Sequence, residues 1–363
     1  MYLCNMFSKG SMDYLTQPVK KRSIYLDVIK GIAIFLVVMA HSIQWGSGKI
    51  FVEQELYFSE PVFKFIYGFH MPLFMVASGY LFWGTLNRRR ASDVLRSRLR
   101  MLLLPIVTWQ TLYLIVLFLA GQLILTPWVL FSYKGALWFL WSVLFCSVLV
   151  MAGLMWFHDS WLYYVCVMVG LLFVPARCLD GLHVYMIPYF FGGYWWNKKA
   201  GFRVYFNWTP VRKVVVGVLS LALFMLLYFV YDTPAHSVYK NGTCLLDRDS
   251  MSMQAVIDMA RYVYGWAGVV MAMIFTDLLM PLLQKCSCLT KLGRNTLGIY
   301  ITNYFAVMLM PLATDPWIMG LQQILPLPLI ALAETLLMLA LSLAIVWLIR
   351  CNKVLRLIML GEK

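Results

Sequence analysis

Ten long apolar stretches dictate what this chain can fold into. They run over residues 24–44, 62–86, 101–125, 135–156, 160–176, 183–196, 213–231, 259–280, 296–312 and 325–349. Crossing a hydrocarbon core takes roughly 20 apolar residues in helical form. Most of the stretches meet that length, whereas 160–176 and 183–196 are short and 259–280 has a polar start. Hydrophobic residues make 62% of the chain and charged ones 13%, too few charges to cover a soluble fold of 363 residues. The same numbers exclude disordered, collagen-like and nucleic-acid-binding classes. The expected fold is an all-α polytopic transmembrane bundle of about ten spans, in which 160–176 could instead pair with 135–156 as a re-entrant hairpin.

The formal net charge of +14 raises the question of where the cations sit. With the N-terminus inside, twenty-two of the 30 lysines and arginines fall in cytoplasmic loops and tails and five in outer ones. That bias, alternating loop by loop, predicts both termini in the cytoplasm and a multi-pass protein of the inner (plasma) membrane. The charge then reports topology, and no nucleic acid is expected as a partner. Residues 1–22 read as a short cytoplasmic lead, whose true start could be a later Met, and 23–363 as one transmembrane domain. The first stretch follows Lys20, Lys21 and Arg22 but carries Asp27, Lys30 and His41 and has no small-residue cleavage site, so it reads as a retained span.

Eight cysteines are scattered along the chain. Cys286 and Cys288 lack the further ligands of a zinc site, and no metal is expected. Cys178 and Cys244 both fall on the outer side, where a disulfide is open to them. No internal repeat suggests inverted transporter halves.

Ionisable side chains inside a span are costly and often functional. In the first span Asp27 and Lys30 are three residues apart and can pair. His41 follows Lys30 by eleven residues, on nearly the same helix face and about 16 Å further outward. One polar stripe thus crosses the span, although the Asp27–Lys30 pair alone would also serve as an interfacial anchor. The second span places His70 at a comparable outer depth, followed by Pro72, expected to kink the helix, and by Ser78-Gly79, which suit close helix packing. Between the second and third spans lie six arginines, ending in Arg96, Arg98 and Arg100. They satisfy the positive-inside rule, and they could also dock a polyanionic nucleotide at the cytoplasmic mouth.

The first span, the Phe69-His-Met-Pro-Leu-Phe74 element with its Ser78-Gly-Tyr-Leu81, the run from Arg98 to Pro105, Leu137-Trp-Phe-Leu140 and Leu292-Gly-Arg-Asn-Thr-Leu-Gly-Ile-Tyr300 occur in that order. Together they resemble the acyltransferase-3 family of membrane O-acyltransferases, which modify sugars of cell-surface glycans and lipids. The resemblance covers nearly the whole chain. A basic residue, ten residues and a His mark that family's first helix, and Lys30 and His41 match with Lys for the commoner Arg. Asn303 stands near the place where the family often has His, and no hydrolase-like domain is expected beyond the tenth span.

Acyl transfer to a hydroxyl needs a base and a donor for the carbonyl oxyanion. His41 is the expected base, and His70 an orienter, second base or oxyanion donor. Asp27 and Lys30 would shape the inner half of the site, and Arg96, Arg98 and Arg100 would bind the co-substrate. The resemblance implies acetyl-CoA, or another acyl-CoA, as donor, a glycan or lipid-linked sugar as acceptor, and membrane lipids as surroundings. The rivals are a glycolipid or polysaccharide transporter or flippase without thioester chemistry, and a permease with a histidine proton relay.

Overall fold

A computed structural model describes residues 23–46, 56–123, 126–174, 181–199, 201–231, 251–309, 320–321 and 324–363. Among the described residues every regular element is helical. In chain order the main helices are α1 (Ile24–Gly46), α2 (Pro61–Tyr67), α3 (His70–Leu86), α4 (Ala91–Leu119), α5 (Trp138–Trp156), α6 (Trp161–Leu171) and α7 (Gly181–Lys198). They continue as α8 (Pro210–Val230), α9 (Met251–Leu278), α10 (Ser287–Arg294), α11 (Thr296–Leu309), α12 (Leu327–Cys351) and α13 (Lys353–Leu360). Each apolar stretch thus carries helix, and α10 and α13 are short connecting and terminal pieces. Among the described residues six stretches are long and apolar enough to cross a membrane: α1, α2 with α3, α4, α5, α8 and α12.

The remaining stretches depart from the simple span in physical ways. Helix α6 has 11 residues, about 16 Å, or half a hydrocarbon core. The chain nevertheless changes ends across it. It leaves a corner where Asp159 pairs with Lys198, beyond the last turn of α5. By His183 it has reached Ser142, in the first turns of the same helix. Helix α4 has 29 residues and begins well before the apolar run, so Arg96, Arg98 and Arg100 lie in its first turns, while Arg88, Arg89 and Arg90 stay in the turn before it.

The second stretch breaks before Pro72, not at it. Helix α2 opens on Glu60, whose carboxylate accepts from the Phe63 N–H at 2.6 Å, with Pro61 next. It ends at Gly68, and Phe69 (φ −142°, ψ −16°) turns the chain into α3. Pro72 therefore sits in the first turn of a new helix, where its missing N–H costs nothing. The expected proline kink is a helix start.

Small residues set the two tightest packings. Along α3 and α7, a Cβ on Gly79 would lie 2.0 Å from the Phe190 carbonyl oxygen, and one on Gly193 2.0 Å from that of Val76. Along α1 and α10, a Cβ on Gly31 would meet the Leu289 oxygen at 2.1 Å and one on Gly293 the Asp27 oxygen at 1.8 Å. Backbone against backbone, these seams tolerate no side chain.

Polar clamps gather at one end of the bundle. Asp159, with His158 in the left-handed region (φ 54° and 52°), accepts from Tyr194 at 2.7 Å and from Tyr164 and Lys198. Asp277 accepts from Tyr205 at 3.0 Å and pairs with Lys213 at 2.8 Å; burial and that carboxylate push the Tyr205 phenol up. Glu362 pairs with Arg350 at 2.7 Å. Helix α13 lies on α4, where the Trp109 indole donates to the Met359 carbonyl at 2.9 Å. Each clamp joins helix ends that an alternating path brings to one side.

Candidate active site

The turn between α2 and α3 fixes His70. Its ring is buried, and Nδ1 lies 2.8 Å from the Ile66 carbonyl oxygen, one turn back. A carbonyl only accepts, so the proton is on Nδ1. In the neutral ring Nε2 is then a bare lone pair. Of the roles open to His70, this tautomer favours a base or a holder of substrate donors over an oxyanion donor.

His41 comes from the C-terminal third of α1, the direction of which is set at both ends. Toward the N-terminal end Gly31 packs on α10; toward the C-terminal end Thr335 Oγ1 of α12 donates to Ser42 Oγ at 3.3 Å. Among the described residues the buried Nδ1 atom of His41 has no hydrogen-bond partner within bonding geometry, although the Gln44 side chain lies close enough to interact with the ring. A buried acceptor left open is costly unless a ligand completes it.

Both imidazoles line one partly open cleft. Gln44 supplies a further polar group, Phe63, Tyr67, Trp138, Tyr185 and Tyr300 are its aromatic lining, and aliphatic residues with Met71, Pro72 and Met186 complete it. Few polar groups on an aromatic wall is the usual make-up of a small-molecule site. Flat rings also suit the C–H faces of a sugar.

Asp27 and Lys30 do not reach this cleft. Lys30 Nζ lies 3.1 Å from Asp27 Oδ1 and donates to the Gly293 carbonyl at 2.8 Å. Arg294 Nε is 3.6 Å from Asp27 Oδ2. The pair bolts α1 to the start of the Leu292–Tyr300 motif, and eleven residues of helix, about 16 Å, separate Lys30 from His41. Toward the N-terminal half of α1, the α1–α3 seam leaves a narrow apolar gap lined by Leu26, Ile29, Leu73, Val76, Ala77, Tyr80, Trp196 and Met273.

The three arginines of α4 part company. Arg96 is exposed. Arg98 lies over the Phe82 ring of α3 at 4.9 Å. Arg100 Nε donates to the Gly361 carbonyl at 3.1 Å, holding the C-terminal segment. Residues two apart on a helix point to different faces, so no single arginine patch forms. Cys286 and Cys288 are exposed free thiols, and Cys178 and Cys244 lie outside the described residues.

Sequence reasoning left out several groups around the cleft. His183 meets Ser142 at 2.6 Å, one layer behind Leu182 and Trp138. Its place at the start of the sixth stretch, at the outer depth of the other two histidines, was a readable signal. Arg261 of α9 is buried, with its guanidinium 4.3 Å from the centre of the Tyr185 ring and 3.7 Å from Asp258. Tyr300 belongs to a recognised motif, but nothing in the one-dimensional pattern ties it to His41.

The profile of the acyltransferase-3 family, described as an acyltransferase domain, matches residues 23–351. The chain is also similar to the nodulation protein NolL of Mesorhizobium japonicum, 27% identical over 300 residues, which are 80% of this chain and 78% of that protein. It is similar to the nodulation protein NolL of Sinorhizobium fredii, 38% identical over 132 residues, 34% of either chain. No solved structure matches. With the family profile running from the residue before α1 to the last residue of α12, the chain belongs to the acyltransferase-3 family and is a membrane acyltransferase.

Proposed function

We propose that the protein takes an acetyl group from acetyl-CoA on the cytoplasmic side and transfers it to a hydroxyl of a glycan or lipid-linked sugar on the outer side of the inner membrane. The observation that carries this reading is the pairing of His41 and His70 in one aromatic-lined cleft, with His41 Nδ1 open and His70 held by Ile66. His41 accepts the proton of the attacking hydroxyl. His70 offers its Nε2 lone pair to a neighbouring hydroxyl of the sugar and so orients the acceptor. The apolar seam between α1 and α3, lined by Leu26, Ile29, Leu73, Val76 and Ala77, would have to part to admit the thioester arm from the inner end. Arg98 and the exposed Arg96 would meet the phosphates of CoA at that end, with Arg100 joining them only by leaving the Gly361 carbonyl. Asp27 and Lys30 act from a distance, by holding α1.

This reading implies ten spans with both termini in the cytoplasm, so cysteine labelling at positions 52, 134, 240 and 315 should read outside and at 92, 199 and 290 inside. The deciding experiment gives labelled acetyl-CoA and surface sugars to purified protein in lipid. Label appearing on a sugar, with loss of the thioester, supports the reading. Sugar movement without thioester consumption would replace it with a flippase.

A further inference from the structure

The paired imidazoles leave the chemistry short of one group. His70 donates its only proton to Ile66, and His41 as base turns a lone pair rather than its N–H toward the hydroxyl, so the donor that an oxyanion requires is sought elsewhere on the cleft wall. Across the cleft, two sequence landmarks without an assigned role meet. Leu137-Trp-Phe-Leu140 forms the start of α5, with Leu137 as its N-cap in the left-handed region (φ 49°) and no side chain capping the first N–H groups. Leu292–Tyr300 delivers Tyr300 from the first turns of α11. The Phe139 N–H donates to the Tyr300 hydroxyl at 3.4 Å, and the two rings pack edge to face at 5.7 Å. Tyr300 is 7% exposed and lines the same cleft as the unpartnered His41 Nδ1. A phenol oxygen that accepts from the positive end of a 19-residue helix is a stronger donor through its own proton.

We propose that the Tyr300 hydroxyl, backed by the N-terminus of α5, is the hydrogen-bond donor to the oxyanion of acyl transfer. The inference rests on the acyl-transfer reading above. The acceptor oxygen loses its proton to His41 and bonds to the thioester carbonyl carbon, and the carbonyl π pair moves onto oxygen, where Tyr300 donates to it. On collapse the C=O re-forms, the C–S bond breaks, and the thiolate takes the proton back from the imidazolium. An ester and free CoA result.

Lipid-reconstituted wild type, Tyr300→Phe and a variant with 3,5-difluorotyrosine at position 300 are compared for acetyl-CoA turnover with surface sugars as acceptors, read as released thiol. Tyr300→Phe should lose about 10²–10³-fold in kcat with the KM for acetyl-CoA changed by less than about threefold. The fluorinated phenol, of unchanged shape and greater acidity, should shift kcat, which a packing role would not do. Retention of more than about a tenth of kcat by Tyr300→Phe overturns the proposal, since one oxyanion donor is worth more. If Tyr300→Phe does not fold, the fluorinated variant decides alone, and a kcat equal to wild type overturns it. A wild type that never consumes the thioester removes the acyl-transfer reading itself, and is seen in the first arm.

Discussion

Replacing His41 by Gln removes the proton acceptor and little else. A positioned general base contributes about 10²–10⁴ in rate, or about 2.7–5.5 kcal/mol of barrier at 1.36 kcal/mol per decade. Glutamine fills much of the same volume and can hydrogen-bond, but it does not take a proton near neutral pH. The cost to the fold should be small, because among the described residues only Gln44 interacts with the polar atoms of the ring and the ring borders open space rather than a closed core. A stability change within about 1 kcal/mol is expected, the size of one ordinary hydrogen bond. The assay is acetyl transfer from labelled acetyl-CoA on monodisperse protein in lipid, with thermal unfolding measured on the same samples. The expected result is a loss of at least about 100-fold in kcat with unfolding unchanged. Turnover within about tenfold of wild type would refute the role of His41 as base, since no positioned base is worth so little.

His70→Asn keeps an N–H near the Ile66 carbonyl but has no acceptor at the Nε2 position, so it should fold as wild type and turn over at least about 10-fold more slowly. His70→Gln loses the contact to Ile66 and should cost about 1 kcal/mol as well, read as a lower unfolding midpoint than His70→Asn shows. Arg98→Gln should raise the KM for acetyl-CoA several-fold with kcat near wild type, and Arg96→Gln should do so less, because Arg96 points to solvent. Unchanged KM values across Arg96, Arg98 and Arg100 neutralised together would leave the run as a topology signal. Lys30→Ala strands Asp27 beside a distant Arg294 and should destabilise by on the order of 2–3 kcal/mol. Lys30→Arg should restore most of that, and unfolding curves for the two variants check the pair.

Much of this was legible in one dimension because lipid leaves few choices. Continuous apolar runs had to be helices, and each carries one. The His41–His70 pairing was readable from depth alone, since an imidazole in lipid seeks a polar interior. The limits of legibility are equally physical. Pro72 reads as a kink in any helical run, but the break at Gly68–Phe69 depends on how α2 and α3 turn, which no local signal states. Arg96, Arg98 and Arg100 read as one patch along the sequence. On a helix they part, one to solvent, one to Phe82 and one to the Gly361 carbonyl. Lys30 lies on the His41 stripe in projection, yet its nearest partner is a backbone oxygen 263 residues away. Phase along a helix predicts a face and says nothing of the neighbour that covers it.

That long-range contact explains how Lys30 and Asp27 serve a cleft they do not touch. A base must be held to within a fraction of an ångström of its hydroxyl, which a single helix in lipid, free to slide and rotate, does not provide. Helix α1 is stopped at both ends. Near its N-terminus, Gly31 and Gly293 let the backbones of α1 and α10 meet, so the helix has no room to rotate, and Lys30 ties the Gly293 carbonyl to Asp27. Near its C-terminus, Ser42 bonds Thr335, and Gly46 lies under the Glu334 side chain of α12. His41 stands one residue before this second stop. Helix α10 leads directly into α11, so the element that fixes the height of His41 also delivers Tyr300 to the same cleft. A substitution at Gly293 would therefore displace both groups at once, although it lies at the opposite end of the bundle.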